Sequence, residues 1–113
     1  MGTITDITER QYKKEVIDSK SAVIVDLWAP WCQPCKSIAK ELESVIKTHG
    51  NRVRVVKVNV DENPSIASQL EIKSIPTLVF YAGKNSSPIS IVGATTARSI
   101  ISRFRLDELP LRP

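Results

Sequence analysis

A nearly continuous apolar run in the first third of the chain predicts a central β-strand. Residues Ala22–Trp28 are hydrophobic at every position except Asp26, a pattern typical of strands that are covered on both faces. Hydrophobic residues then recur every three or four positions over residues 35–46, which predicts a long amphipathic helix that ends near Gly50. A β-branched run over residues 53–60 predicts the strand that follows.

Shorter patterns predict the elements on either side of this unit. Residues 3–7 are expected to form an edge strand. Thr8 should cap a first helix, whose buried side would carry Tyr12, Val16 and Ile17. The remaining expected elements are a short helix capped by Asn63, strands at residues 77–81 and 89–91, and a last helix capped by Thr96.

The predicted order of elements indicates an α/β domain. Strands and helices alternate through the first half and end in a hairpin and a helix, so a mixed sheet between helices is expected. At 113 residues the chain has the size of one domain, which we place at residues 1–108. Residues 109–113 contain two prolines and no periodicity, so a frayed tail is expected there.

Composition narrows the classes of function. The net charge is +4, but the basic residues are scattered and only six residues are aromatic, which argues against a nucleic-acid surface. No apolar run reaches membrane-spanning length, and the N-terminus lacks the features of a signal peptide. Because both cysteines lie in one motif, a disulfide scaffold is excluded. A cytoplasmic monomer without nucleic-acid or membrane partners is expected.

The chemistry of the chain is concentrated at its two cysteines. Cys32 and Cys35 flank two residues at the predicted start of the long helix, where unpaired backbone N–H groups and the helix dipole favour a thiolate. Cys32 is therefore predicted to be an exposed nucleophile. Cys35 begins the apolar face of the helix, so it should be buried and should resolve the mixed disulfide that Cys32 forms.

Two other interpretations of the cysteines stay open. They could be inert core thiols. They could also bind a metal or an iron–sulfur cluster. Such a site needs about four ligands, and the chain offers only His49 besides the two cysteines, so a second subunit would have to supply the remaining ligands. His49 itself is expected on a solvated helix end. No metal site is predicted within one chain.

Asp26 is the one charged residue in the central apolar run. A buried carboxylate is costly unless it is paired or protonated, so the pKa of Asp26 is predicted to lie well above its ordinary value. Lys57, on the neighbouring predicted strand, can lie beside Asp26 and would then oppose this rise. Asp26 is either a structural carboxylate or a functional one.

Several motifs together resemble the thioredoxin family over nearly the whole chain. They are the nine residues 28–36, Trp-Ala-Pro-Trp-Cys-Gln-Pro-Cys-Lys, together with Asp26, Lys57, Asp61, Asn63-Pro64, Ile75-Pro76-Thr77 and Gly93. The resemblance implies a thioredoxin fold, with a mixed five-stranded sheet flanked by four helices. It also implies a protein-disulfide reductase without a bound cofactor, which receives electrons from NADPH through a flavin-containing thioredoxin reductase and reduces client proteins.

The resemblance also implies roles for individual residues. Asp26 would accept the proton of Cys35 as this thiol attacks, and Lys57 would tune the charge of Asp26. The peptide bond before Pro76 is expected to be cis, which would aim the Ile75 backbone at the cysteines. Client proteins are expected to dock on a shallow apolar groove formed by Trp31, Gln33, Pro34, Ile75, Pro76 and Gly93.

Three positions depart from the family pattern. Gln33 and Ser74 stand where the family usually has glycine, and Lys40 stands where it usually has a helix-kinking proline, so a straighter long helix is expected. Two rival functions stay open. One is a thiol oxidase or disulfide isomerase, whose members usually carry histidine between the cysteines. The other is a non-redox binding subunit, which the loss of a cysteine or of Pro76 would favour.

Overall fold

The sheet of the protein is built around β2 (Ala22–Trp28). The computed structural model describes residues 4–112. The other strands are β1 (Ile4–Asp6), β3 (Val53–Asn59), β4 (Thr77–Tyr81) and β5 (Ile89–Val92). The strand order is β1-β3-β2-β4-β5, in which β1, β3 and β2 are parallel, β4 is antiparallel to β2, and β5 is antiparallel to β4. The predicted mixed five-stranded sheet with four helices is confirmed, although Thr3 of the expected edge strand lies outside the described residues.

One face of the sheet is covered by α2 (Gln33–His49) and α4 (Ala97–Arg103). Ile38 and Leu42 of α2 are fully buried, in one core cluster with alternate residues of β2 and β3. The helix thus buries the apolar stripe that its sequence periodicity predicts. Thr96 caps α4 as expected, since its side chain accepts a hydrogen bond from the Ser99 N–H at 3.1 Å.

α2 is continuous over its 17 residues. Lys40 lies in its interior and is exposed, so the position that would hold a proline keeps the backbone N–H that proline lacks. Gly50 follows as the C-cap, and its N–H bonds the Ile46 carbonyl at 2.9 Å. The straightness of α2 that Lys40 leads us to expect stays a prediction.

The opposite face carries α1 (Glu9–Tyr12), a π-helical turn (Lys13–Ile17) and α3 (Pro64–Gln69). Tyr12 is buried here, and its hydroxyl lies 2.7 Å from the hydroxyl of Tyr81 on β4. This hydrogen bond ties the first helix to the sheet.

The prediction that Ile17 is buried was wrong, since 42% of the residue is exposed. The reason is the π-helical turn, in which the Asp18 N–H reaches back five residues to the Lys13 carbonyl at 2.8 Å. A π turn adds one residue to the helical repeat, so Ile17 rotates off the apolar stripe while Val16 stays on it.

His49 is buried, which corrects the expectation of a solvated helix end. Only 9% of the residue is exposed, and its two ring nitrogens lie 2.6 Å from the Thr48 hydroxyl and 2.6 Å from an Asp107 carboxylate oxygen. Asp107 belongs to a short 3₁₀ turn (Leu106–Glu108) that follows α4. His49 therefore joins the end of α2 to the C-terminal segment.

The expected frayed tail is also corrected for residues 109–112, while Pro113 lies outside the described residues. The Arg112 backbone N–H bonds the Asn51 carbonyl at 2.7 Å, and its guanidinium bonds the Gly50 carbonyl at 2.8 Å. The Arg52 guanidinium in turn donates to the Leu109 carbonyl. These contacts hold the segment on the loop between α2 and β3.

Candidate active site

The two cysteines are joined by a disulfide at the N-terminus of α2. Cys32 is the N-cap residue, with an extended backbone conformation, and its Sγ accepts a hydrogen bond from the Cys35 N–H at 3.3 Å. Pro34 occupies the first turn of the helix, where its missing N–H leaves no bond unmade. The N-cap sulfur thus faces the unpaired N–H groups and the positive end of the helix dipole, which favour a negative charge there.

The prediction that Cys32 is exposed was wrong for this disulfide state. Cys32 is 3% exposed and Cys35 is 5% exposed, so burial does not distinguish them. Both lie in a small cluster with Ala29, and side chains from distant parts of the chain, including Val60 and Ile75, pack against it. What separates the two sulfurs is their place on the helix, since Cys32 caps α2 and Cys35 lies within it.

Asp26 lies on β2 in the core, and the residue is 3% exposed. Its Oδ1 has no hydrogen-bond partner among residues 4–112. Burial is the main cause that raises the pKa of Asp26 from 3.8 to about 7; Lys57 opposes this rise and Asp6 adds to it. The direction agrees with the prediction, because removing water from a carboxylate disfavours its charged form.

Lys57 lies directly beside Asp26 in the sheet, as expected, since the two residues are paired in the parallel register of β2 and β3. Its ammonium lies 5.0 Å from the ring centroid of Trp28 and 3.8 Å from an Asp6 carboxylate oxygen. A cation at this distance from an indole ring is attracted to it. The Lys57 ammonium therefore interacts with Trp28 and Asp6 as well as lying beside Asp26.

An open groove of about 1050 Å³ runs between α2 and the edge of the sheet, and Asp26 lines it together with Lys57. Ala39 and Glu43 of α2 form the facing side. Ala39 follows Cys35 by one helical turn, so the two share a face of α2. The carboxyl of Asp26 thus borders an open groove that follows α2 from Ala39 toward the C-terminal end of the helix.

Trp31 is an exposed apolar side chain next to the cysteines, with 67% of the residue accessible. Its indole Nε1 donates a hydrogen bond to Asp61 at 2.9 Å. The Asp61 backbone is itself held by the Asn59 side chain at the end of β3. This chain of contacts orients an exposed indole beside the disulfide. Gln33 and Pro34 are exposed next to it.

The loop before β4 lies against the cysteine cluster through Ile75. The peptide bond between Ile75 and Pro76 is cis, as predicted. The Pro76 carbonyl accepts a hydrogen bond from the Gly93 N–H at 2.8 Å, whereas Ile75 forms no backbone hydrogen bond within residues 4–112. Val92 precedes Gly93 and is 65% exposed. Sequence reasoning missed Val92, although its position next to the buried Ile91 places it on the outer face of β5.

The described part of the chain, residues 4–112, contains no group of three or more His, Cys, Asp and Glu side chains that could hold a metal ion. Within the same residues, no helix has the length and apolar character needed to cross a membrane.

Comparison with known proteins points to one family. A family model described as thioredoxin matches residues 3–105. Thioredoxin 1 of Nostoc sp. is 43% identical over 94 residues, which cover 83% of this chain and 87% of that protein. The chloroplastic M-type thioredoxin of Spinacia oleracea is 41% identical over 103 residues, covering 89% of this chain and 57% of that one.

A solved structure gives the same result for the fold. Chloroplastic thioredoxin z superposes on this chain with a TM-score of 0.85 and 30% sequence identity. The superposition covers 95% of this chain and 96% of the other. The sheet, the helices and their order are therefore those of the thioredoxin fold.

Proposed function

Because the chain belongs to the thioredoxin family and is a dithiol–disulfide reductase of proteins, we propose that Cys32 is its nucleophile and Cys35 its resolving thiol. The observation that carries this proposal is the position of Cys32 as the N-cap of α2, where its sulfur accepts the Cys35 N–H. Reduction of the disulfide would leave a sulfur at the positive end of the helix dipole. Its thiolate would be favoured there, and the thiolate is the form that attacks a disulfide.

The cycle has two exchange steps. The Cys32 thiolate attacks one sulfur of a client disulfide, so that a bond between Cys32 and the client forms and the other client sulfur leaves as a thiolate. Cys35 then attacks the Cys32 sulfur, which restores the Cys32–Cys35 disulfide and releases the second client thiolate. The client gains two electrons, and the reductase loses two.

Asp26 is proposed as the proton acceptor for Cys35 in the second step. A carboxyl with a pKa of about 7 can exchange a proton at neutral pH, since transfer is most efficient when the pKa lies near the working pH. The groove beside Asp26 supports this role because it borders α2 one turn beyond Cys35. Lys57 is proposed to tune the charge of Asp26 from the neighbouring strand.

Clients are proposed to dock on the apolar surface around the disulfide. Two observations support this surface. Trp31 and Val92 are exposed. The Ile75 backbone, which forms no backbone hydrogen bond within residues 4–112, can pair with an extended client segment by strand addition. The surface comprises Trp31, Gln33, Pro34, Ile75, Pro76, Val92 and Gly93.

The electrons are proposed to come from NADPH through a flavin-containing thioredoxin reductase, with the protein acting as a monomer in the cytoplasm. Family membership supports a reductase and disulfide-bearing clients as partners in general. The dipeptide Gln33-Pro34 between the cysteines lacks the histidine usual in thiol oxidases and isomerases, so the reducing direction is favoured over these rivals.

A coupled assay tests this function. With NADPH, a flavin-containing thioredoxin reductase and a disulfide-bonded client, we expect the chain to support continuous NADPH oxidation and release of client thiols. The variant carrying Cys32→Ser and Cys35→Ser should support neither, while still folding. Client binding that survives in this variant, with no redox turnover in the native chain, would instead favour a binding subunit. Turnover with dithiothreitol but not with the reductase would overturn only the proposed electron source.

Brief alkylation tests which cysteine is the nucleophile and which is the resolving thiol. After reduction, Cys32 should react with iodoacetamide faster than Cys35 at neutral pH, because the helix N-terminus favours the Cys32 thiolate. Peptide mapping by mass spectrometry after short exposures measures both rates. Alkylation in urea serves as the control, since unfolding removes the helix and should make the rates similar. Faster modification of Cys35 in the folded protein would reverse the assignment.

A further inference from the structure

Three charged residues form a row across neighbouring strands on one face of the sheet. Asp26 on β2 is paired in register with Lys57 on β3, and Lys57 is paired with Asp6 on the edge strand β1. Residues paired directly across strands point to the same face with short distances between their side chains. Lys57 therefore stands between two carboxylates, one buried and one with a side chain 61% exposed.

The Lys57 ammonium lies at unequal distances from these two carboxylates. It lies 3.8 Å from an Asp6 oxygen, whereas Asp26, also among the described residues, forms no ion pair with it within 4.0 Å. The ammonium also lies 5.0 Å from the Trp28 ring centroid. The Oδ1 atom of Asp26 meanwhile has no partner within residues 4–112. The Lys57 ammonium is thus nearer to the Asp6 carboxylate than to that of Asp26.

From this arrangement we infer that Asp6 is a positioning residue, which draws the Lys57 ammonium toward β1 and so keeps the Asp26 carboxyl able to hold a proton at neutral pH. The inference rests on the proposed role of Asp26 as the proton acceptor for Cys35. A Lys57 free to approach Asp26 would stabilise the carboxylate. Asp26 would then be ionised at a lower pH, and it would be a weaker acceptor for the Cys35 proton.

The charges around Asp26 support this assignment. Burial is the largest influence on its pKa, Lys57 lowers the pKa, and Asp6 raises it. Other charged groups facing the groove are Glu43 and Lys47 from α2 and Arg112 from the C-terminal segment. A substitution of Asp6 removes none of these three charges, so the change in the pKa of Asp26 reports the loss of the Asp6 charge and its effect on Lys57.

The test is the titration of Asp26 by carboxyl ¹³C NMR in the oxidised protein, where the disulfide removes the cysteine thiols from the titration. We expect Asp6→Asn to lower the pKa of Asp26 from about 7 toward about 6. Two influences contribute, the lost negative charge and the release of Lys57. In a Lys57→Met background, only the lost negative charge contributes. Asp6→Asn should then lower the pKa of Asp26 by less than half as much as it does when Lys57 is present. Asp6→Glu, which keeps the charge, should leave the pKa near its native value.

Asp18→Asn is the matched control, because Asp18 also forms an exposed ion pair, with Lys13 at 2.8 Å, and it should leave the Asp26 titration unchanged. An equal effect of Asp6→Asn with and without Lys57 would overturn the inference, as would no effect at all.

The release of client from the mixed disulfide gives a second readout. In Asp6→Asn, the rise of the release rate with pH should move to lower pH in step with the Asp26 titration. If Asp26→Asn left the release rate unchanged, the proposed acceptor role would fail instead, whatever the titrations show. The two failures are therefore distinguishable.

Discussion

A Cys35→Ser variant is expected to remain covalently joined to its client. The Cys32 thiolate can still attack the client disulfide, but no second thiol can attack the Cys32 sulfur, so the exchange stops after the first step. Each protein molecule should release one client thiol and then cease to turn over. Mass spectrometry under non-reducing conditions should detect a species with the combined mass of protein and client, which dithiothreitol dissociates.

The matched control is Cys32→Ser, which differs only in the cysteine that is lost. It should form no such species, because Cys35 lies within α2 and lacks the N-cap position. Both serine variants lose the Cys32–Cys35 disulfide equally, so a difference in trapping cannot come from its loss. Equal trapping by the two variants, or trapping by Cys32→Ser alone, would contradict the proposed order of attack.

An Asp26→Asn variant is expected to become increasingly more stable than the native protein as pH rises from about 4 to about 7. At low pH, the Asp26 carboxyl of the unsubstituted protein is protonated in both the folded and the unfolded state. Above 3.8 the unfolded state ionises freely, whereas the folded state resists ionisation until its pKa of about 7. The native protein therefore loses stability across this window. The loss amounts to about 4 kcal/mol and is complete above the folded pKa.

Urea unfolding at a series of pH values measures this difference. Asp26→Leu serves as a second variant, because it also removes the titrating group while changing the packing. The two variants should differ from each other by an amount independent of pH, and both should diverge from the native protein as pH rises. A constant difference from the native protein between pH 4 and pH 8 would show that the folded pKa of Asp26 is not raised. In the reduced protein, Asp26→Asn should also slow the release of client.

Local patterns were sufficient to predict the elements that hold the site. The predicted bounds of β2 equal those observed, because a strand covered on both faces needs apolar residues at nearly every position. The helix that begins after Cys32 could be predicted from the spacing of its apolar residues and from Pro34 in its first turn. The anomalous Asp26 could be recognised because it interrupts that apolar run.

Contacts between distant parts of the chain could not be predicted in the same way. Cys32 is buried because Val60 and Ile75, remote in sequence, pack against its cluster. His49 is buried because Asp107 returns to the end of α2. The role inferred for Asp6 depends on strand register, which no periodicity within one segment specifies.

The attachment of the C-terminal segment has a consequence for immobilising the protein. Arg112 binds the loop that follows α2, at the end of the helix opposite the disulfide. With 17 residues in α2, a rise of 1.5 Å per residue separates the two ends by roughly 25 Å. A linker to a bead, an electrode or a fluorescent label joined after this segment would therefore start far from Cys32. Protein anchored in this way should present its redox pair toward the solution, where a bulky client can reach it.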